Sequence, residues 1–347
     1  MERLYMKKIK DGFIVTSSAF TVSRKQIKNY SLDTERIPCV GDVVYGEVDY
    51  IGQHSSLENK KGRIHNINHK TKAIFVFGNR YAPDYYEGFV PQYFTGDVDL
   101  IARSGIIGEV KCRNASIKDA TRIKILGYVV DAEGKVLNTL DHPKINPKNK
   151  IKNTNRAKLI LVAGTSMNSG KSFSAAACCW ALSAMGHTVR GSKITGTASL
   201  KDILLMEDNG ASPVSDFTYF GYPSTYMLEE KDLLRIFNEL DLKYANTKNN
   251  YWVVEIADGI LQRETAMLLS SPEVTSRIHK FIFSAYDALG CRGALDILKN
   301  KFGLVPNAIS GVCSSSPLGV REIKSFTDIP VFNNIQRDLN KISDIII

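Results

Sequence analysis

The chain has 347 residues, 44% of them hydrophobic and 23% charged, a globular composition long enough for two domains of ordinary size. That composition excludes a disordered chain, and no apolar run approaches the roughly 18 residues of a membrane-spanning helix. The net charge of +9 is uneven: residues 1–154 hold 25 Lys+Arg against 17 Asp+Glu, and the rest hold 20 against 19. Such a bias points either to an anionic partner or to a lysine-rich solvated surface.

The opening "MERLYMKKIKDGF" lacks the apolar stretch of a signal peptide, so the expected location is cytoplasmic. The six cysteines form no C-x-x-C pair, and free thiols are expected. Residues 1–145 read as a β-rich domain. "GFIVTSS", "GDVVYGEVDYIG", "GRIHNI", "KAIFVFGN", "GEVKCR" and "TRIKILGYVVD" are short β-branched or aromatic runs separated by turn residues, the pattern of a small barrel or a sandwich. "DAEGK" (131–135) is a hairpin turn leading into "VLNTL". "FVFGNRYAPDYYEGFVPQYF" (75–94) interleaves aromatics with Arg80. That composition suits base stacking, a small-molecule pocket or a domain interface. His65 and His69 lie four apart in strand and turn rather than on a helix, a poor spacing for a metal.

The stretch "DHPKINPKNKIKNTNRAK" (141–158) is rich in Pro, Asn and Lys and marks a basic linker over 146–156. Residues 157–347 change period. "AKLILVAG", "HTVRGSKIT", "YWVVEIADG", "HKFIFSAY", "NAISGVCSS" and "IPVFNN" read as strands. Between them lie helical patterns: "GKSFSAAACCWALSAMG", about 198–207, 228–240, "RETAMLLSS", "ALDILKNKFG" and "GVREIKSFT". Continuous apolar strands alternating with helices give an α/β domain with a doubly wound, mostly parallel sheet, and in such sheets ligands sit beyond the carboxyl ends of the strands.

One of those ends is "LILVAGTSMNSGKSFSAAA" (159–177), an apolar strand, a turn, Gly-Lys-Ser and a helix. This is the order of a phosphate-binding loop. The backbone of Thr165, Met167, Asn168, Ser169, Gly170, Lys171, Ser172 and Phe173 would surround phosphate oxygens. Lys171 would reach the β- and γ-phosphates, and the Ser172 hydroxyl would hold Mg²⁺. The spacing is not literal, because Thr165 stands where the first glycine belongs and Gly164 comes one residue early.

That displaced Gly-Thr, four residues, then Gly-Lys-Ser resembles the loop of dethiobiotin synthetase, in the SIMIBI class of P-loop proteins that also holds the MinD-like ATPases. "HTVRGSKITGTAS" resembles the synthetase's second strand with its Gly-x-Lys segment, and Glu255 in "YWVVEIADGILQRET" resembles the acidic strand end of that class. The resemblance implies that Lys193 faces the γ-phosphate or an acidic substrate, that Glu255 holds Mg²⁺, and that the protein is a homodimer. It also implies a further carboxylate. Asp216 in "SPVSDFTYFGYPSTYM" is the choice, with Asp208 and Asp202 as rivals. Asp258, Arg263 and Glu264 would line the same pocket, and Phe217, Tyr219, Phe220 and Tyr222 would form a substrate wall or part of a core. The sequence departs at "ISGVCSSSP", where Ser314–Ser316 replace the asparagine that reads adenine, so ATP and GTP both stay open.

The expected activity is that of a Mg²⁺- and ATP-dependent small-molecule kinase or ligase, with Lys171, Lys193, Asp216, Glu255 and Asp258 as catalytic residues and Ser172, Asp216 and Glu255 as metal ligands. The alternative is an NTPase switch whose basic β-rich domain contacts nucleic acid or a protein. A nucleotide sensor without turnover is the third reading.

Overall fold

A computed structural model of the chain describes residues 6–146, 151–248 and 250–347. Part of the expected linker, residues 147–150, lies outside the described residues. The chain forms two units. The first comprises 1–145 with 197–200 and 217–227, and the second comprises 146–196, 201–216 and 228–347.

The first unit resolves the choice between barrel and sandwich. Thr121–Val130 pairs with Val43–Tyr50 on one side and Asp97–Ala102 on the other. Val43–Tyr50 continues to Lys72–Phe77, which runs parallel to Ile106–Arg113, and that strand returns to Asp97–Ala102. The ring of five is closed, which removes exposed edges from these strands. Val44, Val48, Phe75, Phe77, Val98, Leu100, Ile107, Ile123 and Ile125 come from all five strands and form one cluster. Only the barrel interior can collect them. Residues of opposite parity, among them Val43, Tyr45, Ile74 and Val76, with Val129 beyond the register shift between Ile125 and Gly127, pack outside against Val15, Ala19, Val22 and Ile27. The expected turn at 131–135 is present, with Gly134 at φ 85° and Val130 bridged to Val136.

The second unit is a six-stranded parallel sheet. Its order is Val214–Asp216, Thr188–Lys193, Asn250–Glu255, Lys158–Gly164, Ile278–Ser284, Ala308–Ser310. Lys158–Gly164 (the loop strand) is buried on both faces from Leu159 onward, so alternate side chains cannot be sorted into wet and dry and the strand reads as a continuous apolar run. The helix that follows it, Lys171–Ala184 (the loop helix), buries Ala175, Ala176, Ala177, Cys178 and Cys179 completely. These small side chains let its backbone approach the sheet closely. It ends before Gly186, which takes the left-handed conformation (φ 80°) that favours glycine.

Two expectations differ. "IPVFNN" makes a single parallel bridge, Val331 to Ile309, rather than a strand. The edge strand Val214–Asp216 and the helix Leu339–Ile346 were not foreseen.

Candidate functional site

Register alone places several of the expected residues together. Glu255 lies opposite Val162 of the loop strand, Lys193 opposite Glu255, and Asp216 opposite Lys193. All three sit at carboxyl ends, Glu255 on the strand beside the loop strand, Lys193 one strand further and Asp216 one further again.

That loop is fastened to its neighbours through its backbone. Thr165 donates its N–H to the Ser284 carbonyl (3.0 Å), and its hydroxyl accepts from the Tyr286 N–H (3.2 Å). The Thr165 side chain is therefore turned to the adjacent strand end. Asn168 and Gly170 take positive φ, 61° and 95°. A Cβ at Gly170 would lie 2.9 Å from Gly311 Cα, so both conformation and space require glycine there. The Ser169 carbonyl accepts from Val312 N–H at 3.1 Å. Met167 is half-buried, and Asn168 and Phe173 are exposed. The first turn of the loop helix has N–H groups with no intrahelical acceptor, and its N-terminus carries partial positive charge.

The side chains meet at Ser172. Its Oγ lies 3.0 Å from Asp202 Oδ1 and 3.1 Å from Glu255 Oε1. A single hydroxyl hydrogen serves one of these acceptors at a time. Glu255 Oε2 is buried with no hydrogen-bond partner among the described residues. Lys193 forms an ion pair with the other Asp202 oxygen, Oδ2. Lys171 is 6% exposed, and its ammonium donates to the Ser166 carbonyl of its own loop at 2.6 Å.

The electrostatics follow from burial. Desolvation pushes the Glu255 carboxyl up to about 7, and the nearby charge of Asp202 adds to it against Lys193 and Lys171. Burial acts in the same direction on Asp202, but the Lys193 ammonium outweighs it and holds that carboxyl below its usual range. Lys193 is raised, because the pull of Asp202 and Glu255 exceeds the effect of its burial. Burial lowers Lys171, opposed by Glu255 and by Asp258. Asp258 is half-buried with φ 59°.

Among the described residues no group of three or more His, Cys, Asp or Glu gathers as a metal cluster. Ser172, Asp202 and Glu255 offer hard oxygen donors, one of them a buried orphan. This set is too sparse for a stand-alone site but suits Mg²⁺, which keeps waters and takes substrate phosphate oxygens.

The remaining expectations divide. Asp202, only a rival on sequence, reaches Ser172 together with Glu255. Asp216 is buried one strand beyond that of Lys193, and Asp208 is exposed at the end of the helix Leu200–Asp208. Glu264 is buried and paired with Arg263 at 2.7 Å, while Gln262 caps their helix by accepting from Thr265 N–H at 3.0 Å. Ser314 turns its hydroxyl to the Gly311 carbonyl (2.7 Å), and Ser316 caps the helix Pro317–Lys324. Phe217, Phe220 and Tyr222 are buried within the first unit. In that unit Phe75, Phe77 and Tyr86 are also core residues, and Arg80 is buried against Tyr85 and His54. Of the other rings in 75–94, Tyr81, Tyr85, Phe89 and Phe94 are half-buried and Tyr93 is exposed. Asn334, which the sequence did not single out, is 2% exposed and donates to the Gly170 carbonyl.

No protein-family model matches the chain, and no curated protein matches it. Similar solved structures include the signal recognition particle receptor FtsY from Elizabethkingia anophelis in complex with GDP, at 11% identity and TM-score 0.37, over 58% of this chain and 64% of that one. FtsY from Mycoplasma mycoides is another, at 15% identity and TM-score 0.37, over 55% of this chain and 64% of that one. The chain thus spans less than two thirds of the length of these two proteins. Neither is a dethiobiotin synthetase. The geometry of the loop, rather than this likeness, carries the functional reading.

Proposed function

We propose that the chain binds a Mg²⁺-nucleoside triphosphate and acts on its γ-phosphoryl group, passing it to a small-molecule acceptor as a kinase or ligase. The observation that carries this reading is the Ser172 hydroxyl held between Asp202 and Glu255, at the foot of a glycine-bounded loop that also holds Lys171. Ser172, Asp202 and Glu255 would hold the cation, whose bound charge would draw electron density from the β- and γ-phosphate oxygens. Lys171 would exchange the Ser166 carbonyl for phosphate oxygens, which suit a buried ammonium better than a neutral carbonyl. The N–H groups of residues 167–173 would donate to the remaining phosphate oxygens. Lys193 acts through Asp202, fixing that carboxylate ionised beside Ser172. Asp258, at the edge of the cluster, would face the acceptor. Burial of the whole set strengthens each of these interactions.

The second reading, a hydrolytic switch, is favoured by the basic bias of the first 154 residues, whose charge would meet an anionic partner. Homodimerisation belongs to the same proposal as the synthetase resemblance, and light scattering tests it.

The deciding experiment measures phosphate release from Mg-ATP and Mg-GTP by the wild type and by Lys171→Ala. The variant should lose nucleotide binding or turnover by on the order of 100-fold, with an unchanged circular dichroism spectrum. Retained turnover would sink the reading. Release by the wild type alone marks an NTPase, and release only after a metabolite is added marks a transferase or ligase.

A further inference from the structure

We infer that Asn334 is a positioning residue for the phosphate loop, acting from the segment just after the Ile309–Val331 bridge through the Gly170 carbonyl. The inference rests on the nucleotide reading above.

A peptide unit is planar and trans, so its C=O and the N–H of the next residue point in opposite directions. Fixing one carbonyl therefore aims the following N–H. Two consecutive loop carbonyls are fixed in this way. Ser169 O accepts from Val312 N–H at 3.1 Å, which orients the Gly170 N–H. Gly170 O accepts from Asn334 Nδ2 at 3.1 Å, from Ser174 N–H at 3.0 Å and from Ser174 Oγ at 3.2 Å, which orients the Lys171 N–H. Both outside donors come from one side. Val312 follows the strand Ala308–Ser310, and Asn334 follows the Ile309–Val331 bridge.

The hydrogen count closes. The Asn334 amide has two N–H groups, one on Gly170 O and one on Ser174 Oγ (3.1 Å). Ser174 Oγ donates its single hydrogen to Gly170 O, and its lone pairs accept from Asn334 and from Ser284 Oγ at 2.9 Å. Ser174 and Ser284 are fully buried and Asn334 is 2% exposed. A buried network in which every donor is used holds one arrangement rather than several. Residue type matters here, because a carbonyl oxygen needs a donor. Asp at this position would set a carboxylate against the Gly170 carbonyl and add negative charge behind the phosphates. Leu would leave Gly170 O with only the two donors of Ser174, both from its own helix, and would remove the tie to the chain after Val331. Asn334 is not needed to hold a strand together, since it lies outside the named strands.

The test compares wild type, Asn334→Leu, Asn334→Asp and Ser174→Ala for Mg-ATP and Mg-GTP affinity by equilibrium titration, for the KM and kcat of phosphate release, and for melting temperature without nucleotide. Asn334→Leu should raise Kd and KM by roughly tenfold, as expected for one buried donor lost, with kcat changed much less. Asn334→Asp should bind more weakly still. Ser174→Ala combined with Asn334→Leu should cost less than the two separate effects multiplied, because they share one carbonyl. A merely structural role would lower the melting temperature of the variants and leave Kd at the wild-type value, and that result overturns the inference. Should Asn334→Leu fail to fold, Asn334→Asp keeps the size and decides by the same Kd comparison. If the wild type binds neither nucleotide, the nucleotide reading falls and takes this inference with it. If the wild type binds and the Asn334 variants bind equally well, only the inference falls.

Discussion

Ser172 is the residue at which the competing carboxylates can be ranked. Asp202 and Glu255 both lie within hydrogen-bond distance of it, whereas Asp216 ends a strand two places beyond that of Glu255. Asp202→Asn should therefore lower Mg-nucleotide turnover by on the order of 100-fold, whereas Asp216→Asn should stay within roughly threefold. Measured kcat values in the reverse order would overturn the assignment. Sequence spacing could not separate Asp202, Asp208 and Asp216, because each follows the lysine strand (Thr188–Lys193) in a polar stretch. The usable signal was an acid in the first turn of the helix that opens just beyond that strand. Glu255, by contrast, was legible, since a lone acid ending an apolar strand must find a partner. Its raised carboxyl also has a consequence for stability. In the folded, metal-free protein Glu255 binds its proton more tightly than in the unfolded chain, where the usual value is 4.5 against about 7 here. Its contribution is full below about pH 4.5 and is lost as the pH climbs through about 7. In chelator, Glu255→Gln should be more stable than wild type at pH 8, by about 3 kcal/mol, and the gap should close towards pH 5. A gap independent of pH would remove Glu255 as its source.

Among the elements, the loop strand and loop helix were readable from their ends, because Gly164, Gly170 and Gly186 bracket an apolar strand, a polar loop and an Ala-rich helix. The strand Val214–Asp216 was not, being three residues long and stabilised by pairing with Thr188–Lys193 rather than by its own pattern. The helix Leu339–Ile346 holds only one apolar face, Ile342, Ile345 and Ile346, too short a stretch to show a period. Opposite the site, at the amino ends of the strands, a different device ties the elements together. Asp241 on the helix Glu230–Tyr244 is fully buried between Arg156, just before the loop strand, and Arg277, just before Ile278–Ser284 (2.9 Å). Arg277 also donates to the Ala157 carbonyl at 3.2 Å. Removing the acid leaves Arg156 and Arg277, each only 16–17% exposed, and Lys152 without that counter-charge. Asp241→Ala should cost about 3 kcal/mol in urea unfolding, while the nucleotide Kd stays at the wild-type value because the site lies at the other end of the sheet. A weakened Kd would mean that the two ends of the sheet are coupled.

For the whole molecule, strand content was legible and closure was not. Short β-branched runs announce a barrel or a sandwich equally. The decision came from Asp97–Ala102, which joins Ile106–Arg113 to Thr121–Val130, and whose two aspartates disguise it as a loop. Asp99 tolerates burial there because Arg122 pairs with it at 2.7 Å and the Val110 N–H donates to it at 2.9 Å. Nor could local pattern show that the first unit recruits residues from far along the chain. Thr139 Oγ1 donates to Gly221 O at 2.6 Å, Lys144 N–H to Tyr219 O at 2.6 Å, and the Tyr226 hydroxyl to Glu87 at 2.6 Å. Ala198 completes an apolar cluster with Ile101, Ala102 and Ile106. A cut at the basic linker therefore removes part of the first unit. Fragment 1–146 should keep its strands by circular dichroism, bind an apolar dye at the uncovered Ile101–Ile106 face, and unfold at a lower urea concentration than the barrel of the intact chain. Each lost buried hydrogen bond contributes on the order of 1 kcal/mol to that shift. Equal midpoints for fragment and intact barrel would show that residues 197–200 and 217–227 add nothing to the first unit, and that its boundary lies at the linker after all.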